Sequence, residues 1–475
     1  MLHGYAKGLL STTSMLIIAS GVSLGASANE RSNEFLLDEI VVTATRRGEQ
    51  SIQTIPLAIT AVSGRDLSRA GVSSLQDLRK IEPALNIASF GAGQQRTVIR
   101  GIQSQNGATT GLYFDESPIV GGTGSPTNIL GDGKPGLHLH DIDHVEVLKG
   151  PQGTLFGSGS VSGTLRVITA KPDLAEFGGH FEGSVAVVDG GNELYKGSVT
   201  LNAPVVEGIF GVRAVVWGET GGGFIDQSIN GVASKNVNDG HVKGVRLTAL
   251  LQASEDMRIT LSGTHQDIDI DGAQAWQLPL GAYRTNSPSV EFYEDEFNLI
   301  NATVEYDTGV GSIVASGSYG EQSVLAPKDS TPTAQLFGLP GTIYVPTIDF
   351  KYYTGELRFS SNFDGPLQLV AGAYYEYGKN DFGTNAVANN AEGTSLCYVY
   401  DECNEKGLRN PGSGNSLYQF GTLTRENTEQ YAAYAQIDYR VIPDLTATVG
   451  ARYYEAKIHR VVTNRQTIFP DFIFG

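Results

Sequence analysis

The chain has no uninterrupted run of about 18 apolar residues, the length at which a transmembrane helix becomes a candidate. A membrane-spanning helix is therefore excluded.

Cysteine is also scarce, because the 475 residues include only Cys397 and Cys403, which are separated by YVYDE. Redox and zinc motifs need other spacings or more ligands. If the chain is exported, so close a pair predicts a disulfide that closes a small loop.

Basic residues are in the minority, with 33 Lys and Arg against 51 Asp and Glu and a net charge of −18, which argues against nucleic acid as a partner. Common catalytic motifs are absent too, since the chain has neither H-E-x-x-H nor G-x-S-x-G. The glycine-rich segment 150–163, GPQGTLFGSGSVSG, contains no lysine and therefore cannot be a P-loop. We predict that the protein is not an enzyme and binds no cofactor.

The N-terminus has the order of features found in secretory signals. Lys7 precedes an apolar stretch from Leu9 to Leu24, and the small residues Ala26-Ser27-Ala28 follow it. A buried N-terminal helix is the weaker interpretation, because the segment has no polar face. We predict a signal peptide over residues 1–28.

Residues 29–54 form a polar linker that contains the segment DEIVVTATRR. Its short apolar run, IVV, lies between two acidic residues and two arginines. The run is consistent with an ordinary edge strand. It is equally consistent with an extended peptide to which a partner adds a strand. The residues by themselves leave both interpretations open.

Residues 55–172 have the pattern of a mixed α/β domain. LAITAV predicts a strand, and Ser74 with Asp77 predicts the start of a helix that ends before Pro83. RTVIRGI, GLYFDESPIV, VEVL and TLRVITA predict further short strands. The small residues of 150–163 allow neighbouring backbone turns to pack closely.

Residues 173–475 contain about eleven segments of alternating polarity, as membrane β-strands require. The segments are FEGSVAVV, KGSVTLNA, GVRAVVWG, GVRLTALLQA, RITLSGTH, NATVEYDT, SIVASGSYG, TGELRFSS, LQLVAGAYYEY, EQYAAYAQIDYR and LTATVGARYYEA. Short turns alternate with long connections, at about 219–240, 269–292, 322–349 and 379–426. Outer-membrane barrels have this two-sided asymmetry, with short periplasmic turns and long outer loops.

The segment VEVLKGPQGTLFGSGSVSGTLRVITAKP resembles the end of the plug domain of TonB-dependent outer-membrane receptors. RTVIRGI and GLYFDESPIV resemble earlier plug strands, and DEIVVTATRR resembles the TonB box with its linker, so the resemblance covers residues 38–172. It implies a membrane β-barrel of about 22 antiparallel strands with an α/β plug in its lumen. It also implies that the TonB protein pairs with the box, which comprises Asp38, Glu39, Ile40, Val41, Val42, Thr43, Ala44 and Thr45.

Four charged residues of the plug are expected to bind the barrel wall, namely Arg96, Arg100, Glu146 and Lys149. Ordinary surface salt bridges are the alternative.

Eleven strands are half of the implied barrel, and an open half would expose unpaired strand edges to lipid. We therefore expect the chain to be a fragment of a longer receptor, with residues 173–475 forming a partial barrel.

The function implied by the resemblance is TonB-dependent uptake of a scarce, bulky ligand across the bacterial outer membrane. We expect a ferric siderophore, a monomeric receptor, and outer-membrane lipid and the TonB complex as partners. Alternatives are cobalamin or oligosaccharide uptake, a passive porin or a surface adhesin.

The run HLHDIDH contains His138, His140 and His144. Spacing alone does not show that ligands converge, so we interpret these histidines as polar lining of the plug and predict no metal site.

Overall fold

The computed structural model of the chain describes residues 41–467, apart from residues 49, 90–94, 105–106, 122–132, 158, 230–231, 288–290, 332–341 and 389–418. Several sequence predictions lie outside these described residues. They are the signal peptide, the first part of the linker with Asp38, Glu39 and Ile40, and the disulfide between Cys397 and Cys403.

The linker forms a small hairpin of two antiparallel strands, β1 (Val41–Val42) and β2 (Gln50–Ser51). A mixed α/β domain, here called the plug, follows it. The elements of the plug are β3 (Ile59–Ser63), α1 (Gly64–Arg69), β4 (Leu85–Ser89), β5 (Gln95–Ile99), β6 (Thr110–Phe114), β7 (Ser117–Pro118), β8 (Ile142–Lys149), α2 (Gly153–Phe156) and β9 (Gly163–Thr169). Short 3-10 helices cover Ile52–Thr54 and Leu75–Lys80.

The central sheet of the plug has the strand order β3-β8-β9-β6-β7, and β4 pairs separately with β5. Neighbouring strands are antiparallel except β6 and β9, which run parallel. The predicted helix is present as the 3-10 helix, and Asp77 accepts a hydrogen bond from the Ser74 N–H at 3.2 Å. The sequence reading missed α1, which is only six residues long.

Apolar residues from the central sheet and the 3-10 helix share one core, including Leu75, Leu78, Val147 and Leu165. The glycine-rich segment packs closely, as predicted. A Cβ atom at Gly163 would lie 2.2 Å from the Leu148 carbonyl oxygen, and the φ angle of this glycine is +153°. Only glycine allows β8 and β9 to approach each other at this point.

The rest of the described chain is almost entirely β-structure. The strands are β10 (Gly178–Val187), β11 (Glu193–Val206), β12 (Phe210–Gly221), β13 (Asp226–Ile229), β14 (Val232–Ser234), β15 (Gly240–Ser254), β16 (Met257–Asp271), β17 (Arg284–Thr285), β18 (Phe292–Asp307), β19 (Gly311–Leu325), β20 (Lys328–Asp329), β21 (Thr342–Ser361), β22 (Leu367–Ala388), β23 (Gln419–Ile442) and β24 (Leu445–Thr467). A 3-10 helix covers Leu278–Leu280.

Twelve of these strands form one antiparallel sheet. Eleven of them, here called the wall, follow the order β10-β11-β12-β15-β16-β18-β19-β21-β22-β23-β24, and the short β20 pairs with β21. Each of the eleven predicted segments lies in its own wall strand, so the prediction of about eleven membrane strands is confirmed. Strands β13, β14 and β17 form a separate small sheet within two of the long connections.

The predicted bounds of the connections 322–349 and 379–426 were wrong. Strands β19 and β21 extend into the first connection, and β22 and β23 extend into the second. Strands β22 and β23 have 22 and 24 residues, and β22 continues to Ala388 while β23 begins at Gln419. Crossing a bilayer takes only about 9–11 strand residues. The extra pairing therefore lies beyond the apolar band, where the membrane pattern of alternation no longer applies.

The polarity of the wall is the reverse of that in a water-soluble sheet. Leu247 is 55% exposed, whereas its neighbour Thr248 is 2% exposed. The same reversal runs across the wall. Exposed apolar residues include Val199, Leu201, Val216, Val245, Leu261, Ile300 and Leu357, and buried polar residues include Thr200, Asn202, Arg246, Ser262, Asn301 and Thr354. An apolar outer face with a polar inner face is the arrangement of a membrane barrel.

Among the residues that the structure describes, no helix has the length and apolar character needed to cross a membrane.

A charge on the outer face of the wall should destabilise the protein according to its depth. Leu247→Arg should lower the free energy of unfolding by about 2–4 kcal/mol, because lipid surrounds the middle of the apolar band. His241 is exposed on the same strand, six residues nearer the long connection, and has the same orientation by alternation. His241→Arg should lower the free energy by only about 0–1 kcal/mol. Urea unfolding in lipid vesicles measures both values, and equal losses would contradict a lipid-facing surface.

Candidate coupling site between the linker, the plug and the wall

The hairpin folds the C-terminal part of the predicted TonB box onto the plug. Val41 pairs with Ser51 and Val42 pairs with Gln50, while Val42 and Ala44 are almost completely buried. The Arg46 N–H donates to the Thr43 carbonyl oxygen at 3.0 Å, which closes a turn. In this structure Val41 and Val42 of the box form a hairpin strand, and Thr43, Ala44 and Thr45 belong to the turn that follows it. Pairing of the box with TonB stays a prediction.

Thr43 is bound to the plug by two side chains of the central sheet. Its N–H donates to Glu146 Oε1 at 2.7 Å, and Arg166 Nη1 donates to its hydroxyl oxygen at 2.8 Å. Glu146 and Arg166 are direct partners across β8 and β9, and their charged atoms lie 2.5 Å apart. Glu146 is 0% exposed, so the box is anchored to a buried ion pair.

Arg46 connects the box to the wall. Its Nη1 atom lies 2.9 Å from Glu116 of the plug and 3.0 Å from Glu356 of β21. Its guanidinium group also lies over the Phe156 ring, 4.4 Å from the centroid, which is a favourable cation–π geometry. Tyr434 of β23 donates a hydrogen bond to Glu356.

Glu116 completes the connection between plug and wall. It lies 3.1 Å from Arg166 of the plug and 3.1 Å from Arg358 of β21. We call this set of six residues the coupling network, and it comprises Arg46, Glu116, Glu146, Arg166, Glu356 and Arg358. Three arginines balance three glutamates, so the buried network is formally neutral.

Burial and the arginines act in opposite directions on the glutamates of the plug. Burial raises the pKa of Glu146, but Arg166 and the hydrogen bond from His144 outweigh it and lower the pKa to about 2. Burial likewise raises the pKa of Glu116, but Arg358, Arg46 and Arg166 hold it well below its ordinary value. Both carboxylates therefore stay charged at neutral pH.

His144 contacts two carboxylates beside the coupling network. It lies 2.6 Å from Asp143 and 3.1 Å from Glu146. Burial alone lowers the pKa of His144, but hydrogen bonds with these two carboxylates raise it to about 9. The imidazole is thus a cation at neutral pH.

The four charges predicted to tie the plug to the wall lie on or directly after strands β5 and β8 of the plug. Among the described residues, Glu146 is connected to the wall through Arg166 and Glu116. Lys149 pairs with Glu82 at 2.9 Å, which is a contact within the plug. Arg100 is exposed at the end of β5, and Arg96 lies on β5 opposite Ala88 of β4. A contact of Lys149 with the wall stays a prediction.

Five members of the coupling network were missed in the sequence, although some left a local signal. Arg166 interrupts the apolar strand TLRVITA, and a lone arginine in a buried strand requires a partner. Glu356 and Arg358 lie two residues apart in TGELRFSS, so alternation places both on the inner face of a membrane strand. For Arg46 and Glu116 no comparable signal exists.

The histidines of HLHDIDH divide between two places. His144 contacts Glu146 of the coupling network, whereas His138 and His140 lie against Glu219 of β12, with nitrogen-to-oxygen distances of 3.1 and 3.8 Å. These three side chains could hold a metal ion, as could the outer cluster of His265, Asp267 and Glu296. Both clusters are found among the described residues.

Residues 51–164 match the family model described as TonB-dependent Receptor Plug Domain. The pesticin receptor of Yersinia pestis is 32% identical over 194 residues, which cover 40% of this chain and 26% of that receptor. The ferripyoverdine receptor of Pseudomonas aeruginosa is 24% identical over 443 residues, covering 88% of this chain and 50% of the receptor. The chain thus matches about half or less of the length of these relatives.

Among solved structures, the ferric yersiniabactin uptake receptor FyuA from Yersinia pestis superposes with a TM-score of 0.66 at 16% identity. The superposition covers 86% of this chain and 60% of that one. The fold is therefore that of a plug inside the strands of an outer-membrane barrel.

Removal of one charge from the coupling network should destabilise the docked plug. Glu146→Gln should lower the free energy of unfolding by about 3–5 kcal/mol, because Arg166 loses its closest buried counter-charge. Urea unfolding in micelles can follow Trp217, which lies between wall and plug, in a background that carries Trp276→Phe.

Glu455→Gln is the matched control, because Glu455 forms an exposed pair with Lys457 at 3.4 Å. Exposed pairs contribute about 0–1 kcal/mol. A loss for Glu146→Gln no larger than for this control would contradict the energetic role of the network.

The stabilisation from His144 should decrease at alkaline pH. Its pKa in the folded protein is about 9, above the ordinary value of 6.5, so the stabilisation is complete below about pH 6.5 and is lost as the pH rises through 9. The melting temperature of the wild type should therefore fall over this range more steeply than that of His144→Gln. Parallel pH profiles of the two proteins would contradict the assignment.

Proposed function

We propose that this chain, which carries the plug domain of the TonB-dependent receptors, serves in the energy-coupled import of a ferric siderophore. The protein is located in the bacterial outer membrane, where lipid surrounds the wall. The inner-membrane TonB complex is the proposed source of energy, and Asp38 to Thr45 are its proposed binding segment. We propose further that the receptor works as a monomer.

The similarity to named receptors supports the choice of ligand. One relative is named for ferripyoverdine and one solved neighbour for ferric yersiniabactin, so two proteins with this fold are named for iron chelates. Cobalamin and oligosaccharides are the alternative ligands under the same mechanism. A passive porin is the alternative outside it.

The buried anchor of the box is the observation that carries the proposal. A segment that TonB pulls must first be bound, and a strand added to IVV would use the main-chain hydrogen-bonding groups of the box. Thr43 is bound to Glu146 and Arg166, and this pair leads through Glu116 to Arg358 of the wall. Force on the box therefore acts directly on the contact between the plug and the wall. A passive pore has no need of such a connection.

Loss of one main-chain donor in the box should abolish uptake. Proline at position 41 has no N–H and cannot take part in a full strand ladder with TonB. Val41→Pro, introduced at the chromosomal locus, should reduce TonB-dependent uptake of a labelled ferric siderophore to the level of a strain without TonB.

Val41→Ala is the matched control, because it shortens the side chain but keeps the N–H, and it should transport as the wild type does. Uptake that persists in the Val41→Pro strain, or that survives a protonophore in the wild type, would favour the passive porin. Energy-dependent uptake of cobalamin instead of the siderophore would keep the mechanism and change the ligand.

A further inference from the structure

His138, His140 and Glu219 meet where the plug touches β12, which four strands of the wall separate from β21 of the coupling network. The two histidines lie in the segment that leads into β8, and Glu219 lies near the end of β12, two residues before the long connection 222–239. The side chains of His138 and Glu219 are about nine-tenths buried, and His140 is 8% exposed. The proposed transport mechanism makes no use of this cluster.

The distances between the three side chains suit a common metal ion. His138 Nδ1 lies 3.1 Å from Glu219 Oε1, and His140 Nε2 lies 3.8 Å from the same oxygen. Two atoms that each lie about 2.1 Å from a tetrahedral Zn²⁺ are separated by roughly 3.4 Å. The one ligand atom that each residue offers lies within 4.8 Å of the other two. Shifts of a few tenths of an ångström would bring both histidine nitrogens to this separation from Glu219 Oε1.

A second observation also points to a ligand. His140 Nε2 is buried and has no hydrogen-bond partner among the described residues, since the 3.8 Å to Glu219 is beyond the range of a hydrogen bond. A buried polar atom without a partner is destabilising. A metal ion bound between His140 and Glu219 would satisfy this atom.

The backbone that carries both histidines is held in place before any ligand binds. The His138 N–H donates to Gln266 at 3.0 Å, and Gln266 in turn donates to the Gly136 carbonyl oxygen at 2.8 Å. Arg246 donates to the His140 carbonyl oxygen at 2.7 Å. Such support from surrounding residues orients metal ligands and raises affinity.

The ring of His140 is fixed as well. It stacks on Trp217 with a centroid distance of 5.6 Å. Trp217 fits because the neighbouring strand carries Gly244, where a Cβ atom would lie 2.2 Å from the indole ring. Lys196 lies 3.1 Å from Glu219 Oε2, the other carboxylate oxygen, so Oε1 stays directed at the two histidines.

We propose that His138, His140 and Glu219 form a Zn²⁺ site that joins the plug to strand β12. Two imidazoles and one carboxylate are a ligand set that zinc accepts, and imidazole also suits Cu²⁺ and Ni²⁺. The alternative is an ordinary contact in which His138 shares a proton with Glu219. The bound ion would cross-link plug and wall at a point distant from the coupling network.

The test measures Zn²⁺ bound to the tag-free 475-residue chain in micelles, by equilibrium dialysis. The wild type should bind a roughly equimolar amount of Zn²⁺, and the zinc should raise its melting temperature. His138→Ala/His140→Ala should lose both effects, with affinity weaker by about tenfold or more. Replacement by Co²⁺ should give the visible absorption of a tetrahedral complex in the wild type only.

Glu219→Gln is the second variant, because it keeps the size of the side chain and removes the charged ligand, and it should also weaken binding. His180→Ala is the matched control, since His180 is exposed on β10 and should have no effect. His265→Ala tests the outer cluster. Absence of zinc from the wild type, or loss of zinc only with His265→Ala, would overturn the proposal. These readouts do not depend on uptake, so they are independent of the proposed transport function.

Discussion

The inner face of the wall is polar, and a polar face removed from water must find polar partners. The plug supplies them. Asp141 receives two hydrogen bonds from Arg213, Ser117 receives one from Asn301, and the segment before β8 is held by Gln266 and Arg246. The outer face of the wall carries apolar side chains, which lipid must cover. The position of the plug and the orientation of every wall strand follow from this single division of polarity.

The same constraint explains why the linker ends in a buried ion network. Arg46 has a fully buried guanidinium group, which is tolerable only because Glu116 and Glu356 both lie about 3 Å away. Neutrality is reached by the linker and the plug together, because Arg46 offsets the net charge of −1 from Glu116, Glu146 and Arg166, whereas Glu356 and Arg358 of the wall offset each other. Displacement of the linker or of the plug therefore leaves a buried charge without its partner. A pull on the linker therefore acts on buried ion pairs, whose disruption is energetically costly.

Much of the fold could be predicted because it depends on local patterns. The alternation of side chains along a strand has a period of two, so segments such as GVRLTALLQA and TGELRFSS could be recognised singly. Ser74 and Asp77 predicted a helix start because a capping interaction spans only a few residues. The ends of β22 and β23 escaped prediction, since hydrogen bonding between neighbours continues where the apolar pattern stops.

The candidate site depended on distance in the fold and not in the chain. Arg46 and Glu356 are 310 positions apart, and His138 and Glu219 are 81 apart. The spacing of residues within a segment cannot predict a contact between segments so far apart in the chain. For the same reason the sequence could not show that Lys149 pairs with Glu82. The sequence by itself determined the plug, the eleven strands and the face that each strand shows to lipid, because these follow from local periodicity. Tertiary structure alone decided which charges meet, because burial and long-range register bring them together.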